Sequence, residues 1–195
     1  MATIADMGVE GAGAEILQPM LKNRFRVDFI GLGAGSTADL NALTIQAITV
    51  DRPKLSFEEI TLDRYNVKAY IAGKYSFQTS NIVFESDIGG TVAAALQAQL
   101  EAQQNIIGMS PAPRFPAAQA GQDYKFSTVI TQLDGDNTAF EIWYLEGCWI
   151  QNIDYAELDY AASETVKITT TLRYDNARQN IIGGVGKATG GIVVN

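Results

Sequence analysis

The stretch Val166-Lys-Ile-Thr-Thr-Thr-Leu-Arg-Tyr174 constrains the fold more than any other part of the chain. Val166, Ile168, Thr170, Leu172 and Tyr174 fall on one side of an extended backbone. Thr165, Lys167, Thr169, Thr171 and Arg173 fall on the other. This period-two alternation predicts a strand with one face in a core. Upstream, Phe140 to Ile153 is apolar on both faces, which predicts a strand covered on both sides. Tyr124 to Leu133 and Thr138 to Leu145 flank Asp134-Gly-Asp-Asn137, a hairpin signal. From Tyr124 to Asp175 the chain therefore reads as strands in close succession.

The preceding part follows the same logic. Lys22 to Ile30 places Phe25, Val27 and Phe29 on one face, against Arg24, Arg26 and Asp28. Leu43 to Val50 alternates as Leu43, Ile45 and Ala47, and is predicted as a second strand, stopped by Pro53. Residues 54–72 have too few apolar side chains per face to be core, and are predicted as a projecting hairpin turning at Leu62–Asn66. Its Phe57, Ile60, Leu62, Tyr65, Val67 and Tyr70 have no place in the domain and call for a partner to cover them. Ser80 to Glu85 is a further strand, with Ile82 and Phe84 on one face. One helix is expected, from Ile88 to Asn105, with Asp87 as N-cap and a Val92, Leu96, Leu100 stripe; Gln97, Gln99, Glu101 and Gln104 lie off it. Residues 106–122 form a long proline-containing loop of the kind that makes functional contacts. The expected organisation is a single domain over 1–195: an N-terminal arm (1–20), a core (21–175) and a glycine-rich C-terminal arm (176–195). The expected fold class is mainly β: a two-sheet β-sandwich or open barrel with one flanking α-helix, a projecting hairpin and terminal arms.

Composition narrows the function classes. The chain has 195 residues, enough for a real core, and 47% are hydrophobic. Only 18% are charged, so surface covered by partners is expected. The net charge of −8 comes with no basic stripe, which argues against gripping nucleic acid. No histidine is present, which removes the commonest general base and metal ligand together. Cys148 is the one cysteine, and between Gly147 and Trp149 it reads as a buried small residue. The opening residues lack a basic and then apolar leader pattern, and no apolar run is long enough to span a membrane, so no membrane insertion is expected.

Several motifs suggest chemistry and fall short of it. Gly31-Leu-Gly-Ala-Gly-Ser36 follows a strand, with Asp51 downstream. The third glycine of a dinucleotide fingerprint is missing, and a strand is expected after it, so it reads as a loop. Gly186-Lys187 lacks the leading glycine and the hydroxyl residue of a phosphate loop. Asp134-Gly-Asp-Asn137 has Ala139 and Leu145 where a calcium loop needs Gly and Glu. Asp154, Glu157 and Asp159 include a possible carboxylate pair for hydrolysis, but no aromatic cleft accompanies them and they read as an acidic turn. Neither a catalytic residue nor a cofactor or metal ligand is expected.

Glu141-Ile142, the Gly147-Cys-Trp149 step, the acidic turn after it and the closing strand to Tyr174 resemble the C-terminal part of tail tube proteins of contractile-tailed bacteriophages. Asn23-Arg-Phe-Arg-Val27 is similar to their opening strand. Val67-Lys-Ala-Tyr-Ile-Ala-Gly-Lys-Tyr75 resembles their hairpin exit, and Ile82-Val-Phe-Glu-Ser-Asp87 their strand-to-helix step. Together these cover residues 21–175 in order. The resemblance implies a chain that catalyses nothing and stacks with itself as hexameric rings in a virion tail, assembled in the host cytoplasm. It implies sheath, baseplate and tail-terminator proteins as partners, and DNA passing through a net negative lumen without specific binding during genome ejection. Type VI secretion and tailocin tubes share that fold and form the alternative; a small carboxylate-dependent hydrolase using Asp154 or Glu157 is the remote one.

Overall fold

The structure is a computed structural model that describes residues 20–34, 37–104, 124–134, 136–161 and 163–182. The expected N-terminal arm up to residue 19, the proline loop and the Gly186-Lys187 motif lie outside these residues. Nine strands and two α-helices are described: β1 (Phe25–Ile30), α1 (Thr37–Gln46), β2 (Ala47–Val50), β3 (Leu55–Arg64), β4 (Val67–Phe77), β5 (Ser80–Glu85), α2 (Thr91–Gln104), β6 (Phe126–Leu133), β7 (Ala139–Asp154), β8 (Lys167–Arg173) and β9 (Asn176–Ile181). Seven strands form one sheet in the order β1-β6-β7-β8-β5-β2, with β9 also on β7; β3 and β4 form a second sheet of their own.

The long strand β7 turns the large sheet into a sandwich. Its first half pairs β6 on one side and β9 on the other, from Glu141↔Ile181 to Glu146↔Asn176. Its second half pairs β8, from Trp149↔Arg173 to Asp154↔Thr169. The phase of burial switches between these halves: Glu141 and Leu145 are buried before the step, Cys148 and Ile150 after it. Gly147 makes the switch, with φ +67, a region that side chains other than glycine's adopt at a cost. A Cβ there would also run into the Asp175 carboxylate, which takes an ion pair from Lys125 at 2.6 Å. Opposite this step, at Tyr174-Asp175, the chain passes from β8 to β9, and Asp175 N donates to Glu146 O at 3.0 Å, an ordinary ladder distance. The two layers then face one another. Phe29 of β1 meets Phe84 of β5 with ring centroids 5.9 Å apart, and Phe126 of β6 at 6.5 Å.

The alternation in β8 appears as expected: Ile168, Thr170, Leu172 and Tyr174 are buried, while Val166, just ahead of the strand, is exposed. Phe25, Val27 and Phe29 face inward on β1, as do Ile82 and Phe84 on β5. Three expectations need correction. Residues 37–46, which include the first half of the expected strand Leu43–Val50, form α1, and only Ala47–Val50 is extended. What decides this is Leu40 and Leu43, three apart on one helical face toward the core, while Ile45 points outward at 79% exposure. β7 is covered on one face only: Tyr144 is exposed, and Ile142 and Trp149 are half-buried. The chain after Asp175, expected as an arm, begins with the paired strand β9.

Helix α2 closes one end of the sandwich. It starts at Thr91, and Asp87, expected as the N-cap, reaches it from further back. Its carboxylate accepts the Thr91 hydroxyl at 2.8 Å and the Thr91 and Val92 backbone N–H groups at 3.2 and 3.3 Å. These hydrogen bonds, the Thr91 hydroxyl first, hold the Asp87 carboxyl below its usual range. Val92 and Leu96 are fully buried as the stripe predicts. Gln99, expected off the stripe, is buried too. Its amide accepts Gly33 N and donates to Tyr124 O, both at 2.7 Å, while Gln103 exchanges two hydrogen bonds with the Ile150 backbone at 2.9 and 3.1 Å. Helix side chains thus satisfy backbone groups that no strand reaches.

Candidate assembly surface

The apolar residues that the sandwich cannot bury are concentrated on the hairpin β3–β4. Its strands pair with each other from Leu55↔Phe77 to Arg64↔Val67, leaving Tyr65 and Asn66 as the turn. The hairpin therefore runs past the expected 54–72 segment, to Phe77. At about 3.3 Å per residue, ten-residue β3 extends about 30 Å. Beyond its base no other element packs extensively on the hairpin among the described residues.

The base is fixed by aromatic contacts. Phe57, Tyr75 and Phe77 form a row with centroid spacings of 6.4 and 5.7 Å, and Phe77 stacks at 5.5 Å on Tyr174, which is buried. These edge-on and tilted geometries are the favoured ones for aromatic rings. The row carries the core outward along the first part of the hairpin. A second anchor precedes β3: Arg52 reaches Glu141 at 3.5 Å, and that buried carboxylate also accepts Trp143 Nε1 and Gln179 Nε2 at 2.5 and 2.8 Å.

A bulge then redistributes the hairpin's apolar side chains. Phe57↔Tyr75 is followed by Glu59↔Ala72, so β4 carries one residue more than β3 around Gly73-Lys74. Gly73 is needed here, because a Cβ would stand 3.0 Å from Glu58 O and 3.1 Å from Ile60. Beyond the bulge Ile60, Leu62 and Val67 share one face with Ile71 and Ala69. Phe57 and Tyr70 lie on the other, with Thr61 and Ala72. The six residues predicted as an interface are thus divided: Ile60, Leu62 and Val67 together, Phe57 and Tyr70 opposite, and Tyr65 at the tip. Leu62 is half-buried, and the other five are exposed, from 49% at Ile60 to complete exposure at Tyr65. Tyr65 also adopts φ +52, uncommon for an aromatic residue. A blade apolar on both faces is suited to insertion between neighbours rather than to lying on one.

The other motifs resolve into structure. Asp134 Oδ1 accepts Asp136 N and Thr138 N, each at 2.9 Å, and closes the β6–β7 hairpin. Asp154, the last residue of β7, accepts Ala156 N at 2.9 Å, and Asp159 accepts Ala161 N at 3.0 Å; Asp159 and Glu157 lie on the exposed loop that follows. The glycine-rich loop after β1 does lead into a helix, contrary to expectation, so that ground for rejecting a nucleotide site falls. Packing supplies another: a Cβ on Gly33 would press on the α2 backbone at 3.1 and 3.2 Å, so this glycine serves helix contact. A shallow pocket of about 210 Å³ beside it is lined by Leu32, Gly33, Leu40, Thr91, Ala94, Ala95 and Ala98, none of them charged. Burial pushes the Cys148 thiol up to about 11, far from a reactive thiolate. Among the described residues no three His, Cys, Asp or Glu side chains gather as metal ligands.

No family model and no curated protein matches the sequence. Solved structures do match the fold. A chain of the anti-feeding prophage baseplate, in a six-fold symmetrised cryo-EM structure, is similar with TM-score 0.65 and 12% identity over 86% of this chain and 99% of that one. A chain of an extracellular contractile injection system, the PVC sheath–tube complex in its extended state, is similar with TM-score 0.61 and 14% identity over 93% of this chain and 99% of that one. The SPP1 tail tube is similar with TM-score 0.54 and 12% identity over 84% of this chain and 80% of that one. The chain therefore shares its fold with chains of a baseplate, a sheath–tube complex and a tail tube.

Proposed function

We propose that this chain is a structural tube subunit whose copies form stacked hexameric rings. The observation that carries the reading is the hairpin: a blade of about 30 Å, apolar on both faces, held at its base and uncovered beyond it. A monomer gains nothing from exposing Phe57, Ile60, Tyr65, Val67 and Tyr70, whereas a stack buries them, along with Leu62. The six-fold symmetry of one structure of this fold supports the ring number. In this reading the whole chain acts as one tube domain, its role is structural rather than catalytic, and a sheath, a baseplate and a tail terminator are its partners. The tube belongs to a virion tail and conducts DNA through a net negative lumen. A lumen ringed mainly by Lys and Arg would contradict that last point.

A second reading has its own support. The similar structures with TM-scores of 0.61 and 0.65 come from an extracellular injection system and an anti-feeding prophage, above the 0.54 of a tail tube. The same rings would then deliver a cargo other than a genome.

Electron microscopy of the purified full-length chain tests the common part. Tubes with six-fold end views are expected. A species that stays monomeric at high concentration overturns it. Particles from producing cells separate the two readings, since DNA-filled heads on the tubes favour the virion and headless sheathed tubes the injection system.

A further inference from the structure

The hairpin joins the sandwich through two irregular connections that lie side by side. β2 ends at Val50 and β3 starts at Leu55; β4 ends at Phe77 and β5 starts at Ser80. The large sheet does not continue into β3 and β4, which form a sheet of their own. Gln78 N donates to Lys54 O at 2.9 Å and ties the two connections together. Asp51 N donates to Asn81 O at 2.9 Å, and Ser80 Oγ to Asp51 O at 2.6 Å, which ties them to β5. Two strands interrupted together, with a few residues between elements to absorb a change of backbone angle, have the geometry of a hinge. Such a hinge leaves the direction of the hairpin open unless another contact fixes it.

Arg52 makes that contact with the opposite layer. Its guanidinium lies 3.5 Å from Glu141 Oε2 on β7. Glu141 is 6% exposed, and its other oxygen, Oε1, accepts both Trp143 Nε1 and Gln179 Nε2. One carboxylate oxygen thus serves β7 and β9, and the second is left for the hinge. A buried ion pair adds little stability over apolar packing, and its best-attested use is to specify an arrangement. We propose that Arg52 and Glu141 form a latch that locks this hinge, so that one charged contact with the far layer sets the direction of the hairpin. With the latch open, the hairpin pivots on the Phe77–Tyr174 stack, whose ring centroids are 5.5 Å apart, while β3 stays paired with β4. The inference concerns a single subunit and holds whether or not the chain stacks.

Dipolar distance measurements on the full-length chain test it. Spin labels are placed on Lys68→Cys in the hairpin and Gln97→Cys on α2, both exposed positions, while buried Cys148 stays unlabelled. Dilution with unlabelled chain restricts the signal to distances within one subunit. The parent should give one narrow distribution. Arg52→Ala and Glu141→Gln should each broaden it about two-fold or more, and the double variant no further than either alone. Glu141→Gln is the sharper of the two. Its amide oxygen can keep the Trp143 and Gln179 hydrogen bonds, while its NH2 group faces Arg52 and repels the contact. A merely structural role would lower the melting temperature and leave the distribution narrow, and that result overturns the latch. Broadening that adds up in the double variant overturns it too, since the two side chains would then act separately.

Discussion

The sandwich and the hairpin are made of similar side chains and put them to opposite use. In the sandwich Phe29, Phe84, Ile168 and Leu172 are at most 5% exposed, because two layers and α2 enclose one volume. In the hairpin Phe57, Ile60, Val67 and Tyr70 are about half exposed or more, because two strands alone enclose nothing. Apolar alternation therefore marks extended backbone in both regions, and only the number of neighbouring strands decides what is buried within the chain. The difference separates two kinds of failure: damage to the sandwich should unfold the subunit, and damage to the hairpin should leave a folded subunit that does not assemble.

The strongest way to break that separation is to remove the hairpin. Ser56 and Ser76 face each other across the ladder with Ser56 Oγ 3.3 Å from Ser76 O. Joining them through Asn-Gly in place of residues 57–75 should abolish sedimenting tubes and keep cooperative melting within about 5 °C. Tubes that survive the excision would dissolve the distinction.

On the other side stands Phe84→Ala, which empties a site 1% exposed and should cost about 3–5 kcal/mol in denaturant unfolding. Gly147→Val should cost about 2–3 kcal/mol, from its positive φ and the displaced Asp175 carboxylate. If either variant melted like the parent and failed only in assembly, the sandwich would not be the unit of stability.

How legible each region is in the sequence follows from the same contrast. β8, β5 and β1 are readable because each has one buried face and no irregularity. α1 is not, because Leu43, Ile45 and Ala47 alternate along the sequence while the packing uses Leu40 and Leu43. Nor is the burial of Gln99, because a glutamine on a helix reads as solvated, and its backbone partners at Gly33 and Tyr124 come from distant parts of the chain. The hairpin is readable as a hairpin, yet its division into two faces depends on one extra residue at Gly73-Lys74, which no periodicity announces. The capping chemistry of Asp87 is legible; that its carboxylate reaches forward to Thr91 is not.

Smaller effects sharpen the comparison. Gln99→Leu leaves Gly33 N and Tyr124 O without this partner and should cost about 1–3 kcal/mol, again without selective loss of assembly. Acid should act on the sandwich more gently. Asp87 and Glu146 both have depressed folded-state pKa values, Asp87 chiefly through Thr91 and Glu146 through Asn176. Their contribution is therefore present above the usual carboxylate range and lost as pH falls through the folded values. Asp87→Asn should flatten the fall in melting temperature on the acid side; an unchanged acid limb would remove Asp87 from the account.

The corner at Gly147 and Asp175 has a mechanical meaning. Because β7 belongs to both layers, and β8 and β9 follow it around the same bend, the layers are riveted by continuous backbone. Forcing them apart means sliding strands along one another, which loads many ladder hydrogen bonds at once instead of opening them singly. A subunit built this way is stiff against splaying yet carries a slender lever on its rim. Pulled between its hairpin and its β7–β8 loop in a single-molecule experiment, it should yield first at the hairpin's own two-stranded ladder and only later, at higher force, in the body.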